Sequence, residues 1–371
     1  MKTIQRIAFA NTLRGIAALT VVINHYFGVF WLSRDVIERM INAPSLPLGA
    51  VATPEFVLWI STMPYFNWGA FGVALFFLIS GFVIPFSLCK LTWGGFLLNR
   101  LMRLVPTYLV GFGITLLAIF ICSQYFSRVW PFSIQEVLFH SIPSLRDLTL
   151  SRHIDYVVWT LEIEVKFYFV CAALIFWFRR YSLKVFIAPI ILFVVALILN
   201  KRMLGIDKSH WEALATFIFE TQYLIYMFIG VIFHFLYVKK VKSYQAFLGI
   251  PVLFILFSIQ WSVGPISGGL NLAWSYAFAL LTFTFAYNYP HFFDGNRVFN
   301  FFANISYPLY IVHGVFGYVL LRILLDKGYG VWISVSLVMI SSILISWLMH
   351  VLVERPTQSL GKRLGLYFPK T

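Results

Sequence analysis

The sequence predicts an all-α membrane protein, a polytopic bundle of about ten transmembrane helices. Of its 371 residues, 60% are hydrophobic, 19% aromatic and only 11% charged, whereas a soluble domain is about 45–50% apolar and 25% charged. The apolar residues fall in windows near the ~20 residues needed to cross a hydrocarbon layer ~30 Å thick. Helices are required because lipid cannot hydrogen-bond an unpaired backbone, and the alternating pattern of a β-barrel is absent.

The candidate spans follow one another along the whole chain. They are the ten windows 10–31, 68–89, 105–123, 156–178, 185–200, 213–237, 246–263, 271–289, 298–321 and 331–353. The first follows a basic N-terminus, as a secretory signal does, but no small-x-small cleavage site comes after it. The two longest connections, 32–67 and 124–155, are too short for a soluble catalytic domain. We therefore expect residues 1–371 to form one membrane-embedded domain that carries any chemistry itself.

The net charge of +14 is distributed between the apolar runs rather than on one soluble face. Nucleic acid is therefore not an expected partner, and the lipid bilayer is. If the N-terminus is inside, the inner connections are strongly basic and the outer ones nearly neutral. The positive-inside rule then predicts that both termini are cytoplasmic.

The three cysteines, Cys89, Cys122 and Cys171, lie in or beside apolar runs without the spacing of metal ligands. Neither a disulfide framework nor a zinc site is indicated, and we expect no metal.

Ionisable residues inside the spans are the candidates for a functional site, because each costs about 2.5–3.5 kcal/mol on insertion scales. Arg14 and His25 are eleven residues apart, about 20° beyond three helical turns, and so share one face about 16 Å apart. Arg14 at the cytoplasmic boundary suits a phosphate, and His25 near mid-membrane suits general-base catalysis. The alternatives are a boundary arginine that snorkels and a core histidine bonded to a helix neighbour.

The fourth window carries two carboxylates, Glu162 and Glu164. Glu162 precedes Lys166 by four residues, the favourable order for an intrahelical ion pair with a structural role. Glu164 points about 200° away from Glu162 and shares its own face with Tyr168. It therefore needs a histidine or arginine partner from a neighbouring helix.

Two further groups of polar residues follow helical spacing. Arg100 and Arg103 lie one turn apart at the inner end of the third window, where they suit a polyphosphate or act only as positive-inside anchors. Ser306, Tyr310 and His313 form a polar stripe in the ninth window, although packing also accounts for Ser306 and Tyr310. The weaker candidates, for which structural or interfacial roles are favoured, are Glu220, His234 and His350.

Six segments match, in order, the pattern of a known family. They are Leu13 to His25 with its Arg-x10-His spacing, Phe76 to Ile84, Arg100 to Pro106 with Arg-x-x-Arg, Trp159 to Tyr168, Ile305 to His313, and Glu354 to Pro356. On these motifs the chain resembles acyltransferase family 3, the bacterial inner-membrane O-acyltransferases that modify surface polysaccharides and related glycans.

The resemblance implies a bundle of ten helices that takes acyl-CoA from the cytoplasm. His25 becomes the base, Glu164 aligns with the family's usual glutamate, and the residues implied to contact the CoA phosphates are Arg14, Arg100 and Arg103. The residues implied to line the site are Trp159, Tyr168, Ser306, Tyr310 and His313. Glu162 and Lys166 replace small or polar residues of the family, which leaves open which carboxylate orients the site. No esterase-like domain follows, so we expect no second transfer within the chain.

The expected function is transfer of an acyl group, acetyl by resemblance, from acyl-CoA to a hydroxyl of a sugar in a surface polysaccharide or related glycan. The partners are then the bilayer, acyl-CoA and a glycan or glycolipid acceptor, at a bacterial inner membrane. The alternative is a proton-coupled transporter or flippase of a lipid-linked glycan, in which buried His and Glu relay protons. Inverted repeats would favour it, and the sequence shows no convincing repeat.

Overall fold

The structure, a computed structural model, describes residues 7–46, 53–61, 66–203, 208–265, 270–293 and 296–366. Helices make up 83% of it, and these ranges contain no strand. The predicted all-α class is thus confirmed. The termini, predicted to be cytoplasmic, lie outside the described residues.

The α-helices are numbered here in chain order. The first ten are α1 Ala8–Asn24, α2 Phe30–Leu32, α3 Arg34–Ile41, α4 Glu55–Ser61, α5 Trp68–Val83, α6 Pro85–Leu88, α7 Trp93–Tyr125, α8 Ile134–Ser141, α9 Leu145–Thr149 and α10 Val158–Ala173. The others are α11 Ile175–Arg179, α12 Ile187–Arg202, α13 Lys208–Tyr237, α14 Ser243–Val263, α15 Leu270–Asn288, α16 Arg297–Val312, α17 Val315–Asp326, α18 Val331–Met349 and α19 Arg355–Leu366.

Seven helical stretches among the described residues are long and apolar enough to cross a membrane, or eight if one bent pair counts as a span. The seven are Ala8–Leu32, Trp68–Leu88, Trp93–Tyr125, Leu183–Arg202, Trp211–Tyr237, Ser243–Val263 and Val331–Gly365. The predicted windows 156–178 and 271–289 are not among them. In the first of these, α10 carries three charged residues and ends after only 16 residues. The total of ten spans stays a prediction.

The predicted span 298–321 is not one straight helix but the bent pair α16 and α17, which meet at an angle of 70°. The break follows His313, and Gly314 has a ψ angle of −100°, far from the helical value. The break interrupts the series of backbone hydrogen bonds, so a carbonyl freed there needs another partner. The hydroxyl of Tyr26 donates to the His313 carbonyl at 2.8 Å and so supplies it.

Helix α1 lies between α5 and α16, and α5 also packs on α13. Two contacts are so close that only glycine fits. A Cβ on Gly15 would lie 2.3 Å from the carbonyl oxygen of Phe299, and one on Gly81 would lie 2.0 Å from that of Met227. Small residues at such crossings are typical of membrane helices, whose association depends on tight packing. This packing fixes α1, α5 and α16 around one side of the site.

Among the described residues, the backbone widens into a π-helical turn at His25–Val29 and at His350–Glu354. Such π-bulges are rare and occur frequently at functional sites. The first begins at the histidine that the sequence marks as a candidate base.

Candidate active site

A cavity with about 740 Å³ of empty space, counted with its open mouth, lies among α1, α5, α7, α10 and α16. Of the candidate site residues, the cavity is lined by Arg14, Arg100, Arg103, Glu164, Ser306 and Tyr310. These side chains come from four helices that are distant in sequence. The structure therefore brings six of the ten predicted site residues to one space.

The guanidinium groups of Arg100 and Arg103 keep hydrogen-bond donors free. Arg100 donates to the Ser87 hydroxyl at 2.7 Å and lies 5.6 Å from the ring centres of Phe96 and Tyr168. The buried Nε atoms of both arginines have no hydrogen-bond partner among the described residues. Since an unpaired buried donor is costly, this end of the cavity favours a ligand that accepts several hydrogen bonds.

Glu164 is the one carboxylate among the lining residues. Its Oε1 accepts hydrogen bonds from the hydroxyls of Tyr168 at 2.5 Å and Ser80 at 3.3 Å. Three arginines and one glutamate give the cavity a formal charge of 3 − 1 = +2. A cavity of this charge at membrane depth favours an anionic ligand.

His25 is half-buried and does not line the cavity. Its Nδ1 is hydrogen-bonded to the hydroxyl of Tyr318, and its Nε2 has no such partner among the described residues. The edge of its ring meets His313, with ring centres 4.6 Å apart. The arrangement fixes the ring through Nδ1 and leaves Nε2 available to exchange a proton.

The cavity and His25 are joined through Tyr310 and His313. The ring of Tyr310 lines the cavity, and its centre lies 5.7 Å from that of His313. Thr160 donates to the Tyr310 hydroxyl at 2.9 Å and so holds this ring across the end of the cavity. His313 donates from Nδ1 to the carbonyl of Leu309 at 2.9 Å, which leaves its buried Nε2 as an unpartnered acceptor.

Three predicted lining residues lie outside the cavity lining: His313, which packs behind Tyr310, and Trp159 and Tyr168. Trp159 packs against Phe77 and Tyr223, with ring centres 6.5 and 5.2 Å away. Its neighbour Thr160 points to the cavity instead, because adjacent helical side chains diverge by about 100°. Tyr168 is buried behind the wall, where it supports Glu164 and Arg100.

A second group of charges, the ion-pair network, consists of Arg146, Asp147, Glu162, Lys166 and Glu220. Arg146 bonds to both oxygens of Glu162, at 2.9 and 2.5 Å, and also to Asp147. Lys166 bonds to Asp147 at 2.7 Å and to Glu220. The predicted pair between Glu162 and Lys166 is therefore wrong, because each finds a better placed partner on another element.

The three carboxylates of the ion-pair network lie within 4.8 Å of one another, close enough for a shared cation. Each of them is bonded by Arg146 or Lys166, so these two side chains already occupy the positions of a metal ion. We read the network as structural, since its charges are paired with one another and the loss of one partner from such a buried group is strongly destabilising.

Asp155 lies just before α10, outside the apolar spans, and is 1% exposed. Its Oδ1 accepts from the Val157 amide at 3.0 Å, while its buried Oδ2 has no partner among the described residues. Burial, with a smaller contribution from Glu162, raises the pKa of Asp155 from 3.8 to about 7. His140 accepts from the Asp155 amide at 2.7 Å, and burial lowers its pKa to about 3.

Several residues of this site are not among those that the sequence predicts. Tyr318 escaped because the bend after His313 brings it back to His25, and a straight span would carry it away. Ser80 and Thr160 are small polar residues within motif segments, and their places in an apolar pattern were a usable signal. Arg146 and Asp147 lie in a connection, where charges are too common to stand out.

Comparisons with known proteins identify the family of the chain. The model of a family described as an acyltransferase domain matches residues 7–351, nearly the whole chain. A comparison with curated proteins and one with solved structures each found no match. With its apolar helices and this match, the chain is a multi-pass membrane acyltransferase and belongs to acyltransferase family 3.

Proposed function

We propose that this chain transfers an acyl group, acetyl by default, from acyl-CoA to a sugar hydroxyl of a surface polysaccharide or related glycan at a bacterial inner membrane. The observation that carries the proposal is the convergence of Arg14, Arg100 and Arg103 on one cavity. Arginine binds phosphates through paired, charge-assisted hydrogen bonds, and the nucleotide part of CoA carries several phosphates.

The donor enters, in this proposal, with its phosphates on Arg100 and Arg103 and its pantetheine arm along the cavity toward Tyr310. An arm that reaches Tyr310 brings the thioester to the side of the bundle where His25 lies. Because Tyr310 and His313 stand between the cavity and His25, the Tyr310 ring has to rotate aside for the reaction.

The chemistry then needs one base and one nucleophile. Nε2 of His25 accepts the proton of the acceptor hydroxyl as its oxygen attacks the thioester carbonyl carbon. The bond from this carbon to sulfur breaks, and the CoA thiolate leaves and takes up the proton. The products are an ester and CoA. Tyr318 holds the imidazole through Nδ1 and so keeps Nε2 pointed at the acceptor.

The test replaces His25 by alanine in the full-length protein and measures acyl transfer and thermal stabilisation by acetyl-CoA. We expect transfer to fall by about 10²–10⁴, the usual contribution of a positioned base, while acetyl-CoA still stabilises the fold. His291, an exposed histidine away from the cavity, provides the matched control, because His291→Ala should change neither quantity.

Arg103→Gln separates donor binding from the base. Arg103 makes no hydrogen bond or ion pair within the described residues, so its loss should weaken stabilisation by acetyl-CoA and leave the ligand-free melting temperature unchanged. Normal transfer by His25→Ala, or unchanged acetyl-CoA binding by Arg103→Gln, contradicts the proposal.

A further inference from the structure

A second cavity, here the C-terminal cavity, is formed by α16, α18, the π-helical turn after α18, and α19. It has about 1020 Å³ of empty space, counted with its open mouth, and shares no lining residue with the arginine-lined cavity of the candidate active site. Its lining includes Phe301, Trp347, His350, Arg355, Gln358 and Lys362. No step of the proposed reaction uses it.

One face of α19 forms the polar floor of the C-terminal cavity. Arg355, Gln358, Ser359 and Lys362 are spaced at i, i+3, i+4 and i+7, which places them on one side of the helix. An adjacent side of α19 is packed against α7, where a Cβ on Gly361 would lie 2.7 Å from Met102. Because this contact fixes the rotation of α19, its basic face stays directed at the cavity.

The two cations of that floor are available to a ligand. Arg355 and Lys362 are exposed and make no ion pair within the part of the chain that the structure describes. The neighbouring carboxylate, Glu354, is buried and already bonded to His350 at 2.6 Å and to Gln358 at 2.8 Å. No carboxylate is among the lining residues, so the C-terminal cavity attracts an anion.

The walls of the C-terminal cavity are aromatic and open toward the apolar surface. Phe301 and Trp347 are 38% and 43% exposed, and Leu348 and Leu352, beside them in sequence, are 41% and 69% exposed. Exposed apolar residues on a membrane-spanning helix face lipid, and tryptophan favours the level of the headgroups. A ligand there meets cations at one end and hydrocarbon beside them.

We propose that the C-terminal cavity binds the phosphate of an anionic phospholipid, with Arg355 and Lys362 on the phosphate and Trp347 along the lipid. Basic pockets between membrane helices recognise acidic lipid headgroups in this way. The aromatic wall and the exposed leucines favour a lipid over free phosphate, because free phosphate has no apolar part to contact them. Lipid binding at the C-terminal cavity is independent of the proposed acyl transfer.

The experiment uses the full-length protein in detergent with added phosphatidylglycerol or phosphatidylcholine of the same acyl chains. Native mass spectrometry gives the bound lipid, and thermal unfolding gives the stabilisation. We expect phosphatidylglycerol to bind and stabilise the wild-type protein and phosphatidylcholine to do so far less. Each cation contributes about 1 kcal/mol, so Arg355→Gln should weaken binding about fivefold and Arg355→Gln with Lys362→Gln about 30-fold.

Arg363→Gln is the matched control, because Arg363 is an exposed arginine on α19 that does not line the cavity. It should bind phosphatidylglycerol as the wild type does. Equal binding of both lipids by the wild type overturns the proposal even if a variant fails to fold. So does an equal loss in the Arg355 and Arg363 variants, and so does full stabilisation by inorganic phosphate alone, which would indicate a site for free phosphate.

Discussion

Two carboxylates of α10, Glu162 and Glu164, are separated by a single residue and lie in opposite kinds of environment. Glu162 is buried in the ion-pair network with both oxygens bonded by Arg146. Glu164 faces the arginine-lined cavity, where its hydrogen bonds come from hydroxyl groups and not from arginines. Glu162 is thus neutralised by a bonded cation, whereas Glu164 forms no bond to a cation within the described residues.

This difference separates stability from binding. In the ion-pair network, each carboxylate has a bonded cation, and loss of one partner leaves a buried charge uncompensated. In the cavity, Arg100 and Arg103 retain unpartnered donors, so a ligand can form hydrogen bonds that the protein itself does not make. The network thus holds the connection before α10 onto α10 and α13, and in the cavity Arg100 and Arg103 keep the donors that binding requires.

The largest expected effect comes from removing the arginine of the network. Arg146→Gln should lower the free energy of unfolding by about 3–5 kcal/mol, because Glu162 and Asp147 lose their shared cation inside the protein. The melting temperature of the purified protein, measured without ligand, reports the loss.

The same substitution in the cavity, Arg103→Gln, is the control for this loss. Arg103 has no hydrogen bond to lose within the described residues, so this variant should melt close to the wild type. If the two variants melt alike, the division between network and cavity fails.

The next effect sharpens the contrast between the two carboxylates. Glu164→Gln should lower turnover about 100-fold, the size of effect expected when a group that orients the site is lost, without weakening acetyl-CoA binding, since the cavity becomes more positive. Glu162→Gln should instead lower the melting temperature and leave turnover per folded molecule near normal. Acyl-transfer rates and acetyl-CoA titrations on both variants measure this, and the reverse pattern would exchange their roles.

The sequence was sufficient for the fold class and for much of the cavity. Apolar windows predicted a helical membrane bundle, and the high cost of buried charge singled out Arg14 and Glu164. The spacing of one helical turn marked Arg100 and Arg103. Those residues stand out because each interrupts an apolar pattern or follows a helical spacing. That they line one cavity follows once the neighbouring helices are known.

What the sequence could not supply depends on contacts between distant segments. Local spacing favoured Lys166 as the partner of Glu162, but Arg146 reaches Glu162 from a connecting segment, and Lys166 turns to Glu220 on α13. Likewise, Pro308 and Gly314 permit a break in 298–321, but they do not set its angle of 70°, and Tyr318 contacts His25 only because of this bend. Tertiary packing decided these partners, and the periodic pattern of each helix carries no information about it.

The smallest expected effect concerns Asp155, a buried carboxyl group just before α10 that has no bonded cation among the described residues, unlike the carboxylates of the ion-pair network. Its pKa in the folded protein, about 7, lies above the ordinary 3.8 because of burial. The folded state therefore holds a proton that the unfolded chain releases, and the resulting stability is present at low pH and lost as the pH rises from about 4 to 7. Asp155→Asn should thus melt progressively higher than the wild type as the pH rises from 5 to 8.

Glu136 is the matched control for Asp155, because its hydrogen bond with Arg152 lowers its pKa to about 2. It stays ionised across the whole range, so the difference between Glu136→Gln and the wild type should not change with pH. Melting curves at pH 5, 6, 7 and 8 in one detergent compare the two. If the difference for Asp155→Asn does not change with pH, Asp155 is ionised throughout. Its charge is then stabilised inside the protein, as the carboxylates of the ion-pair network are.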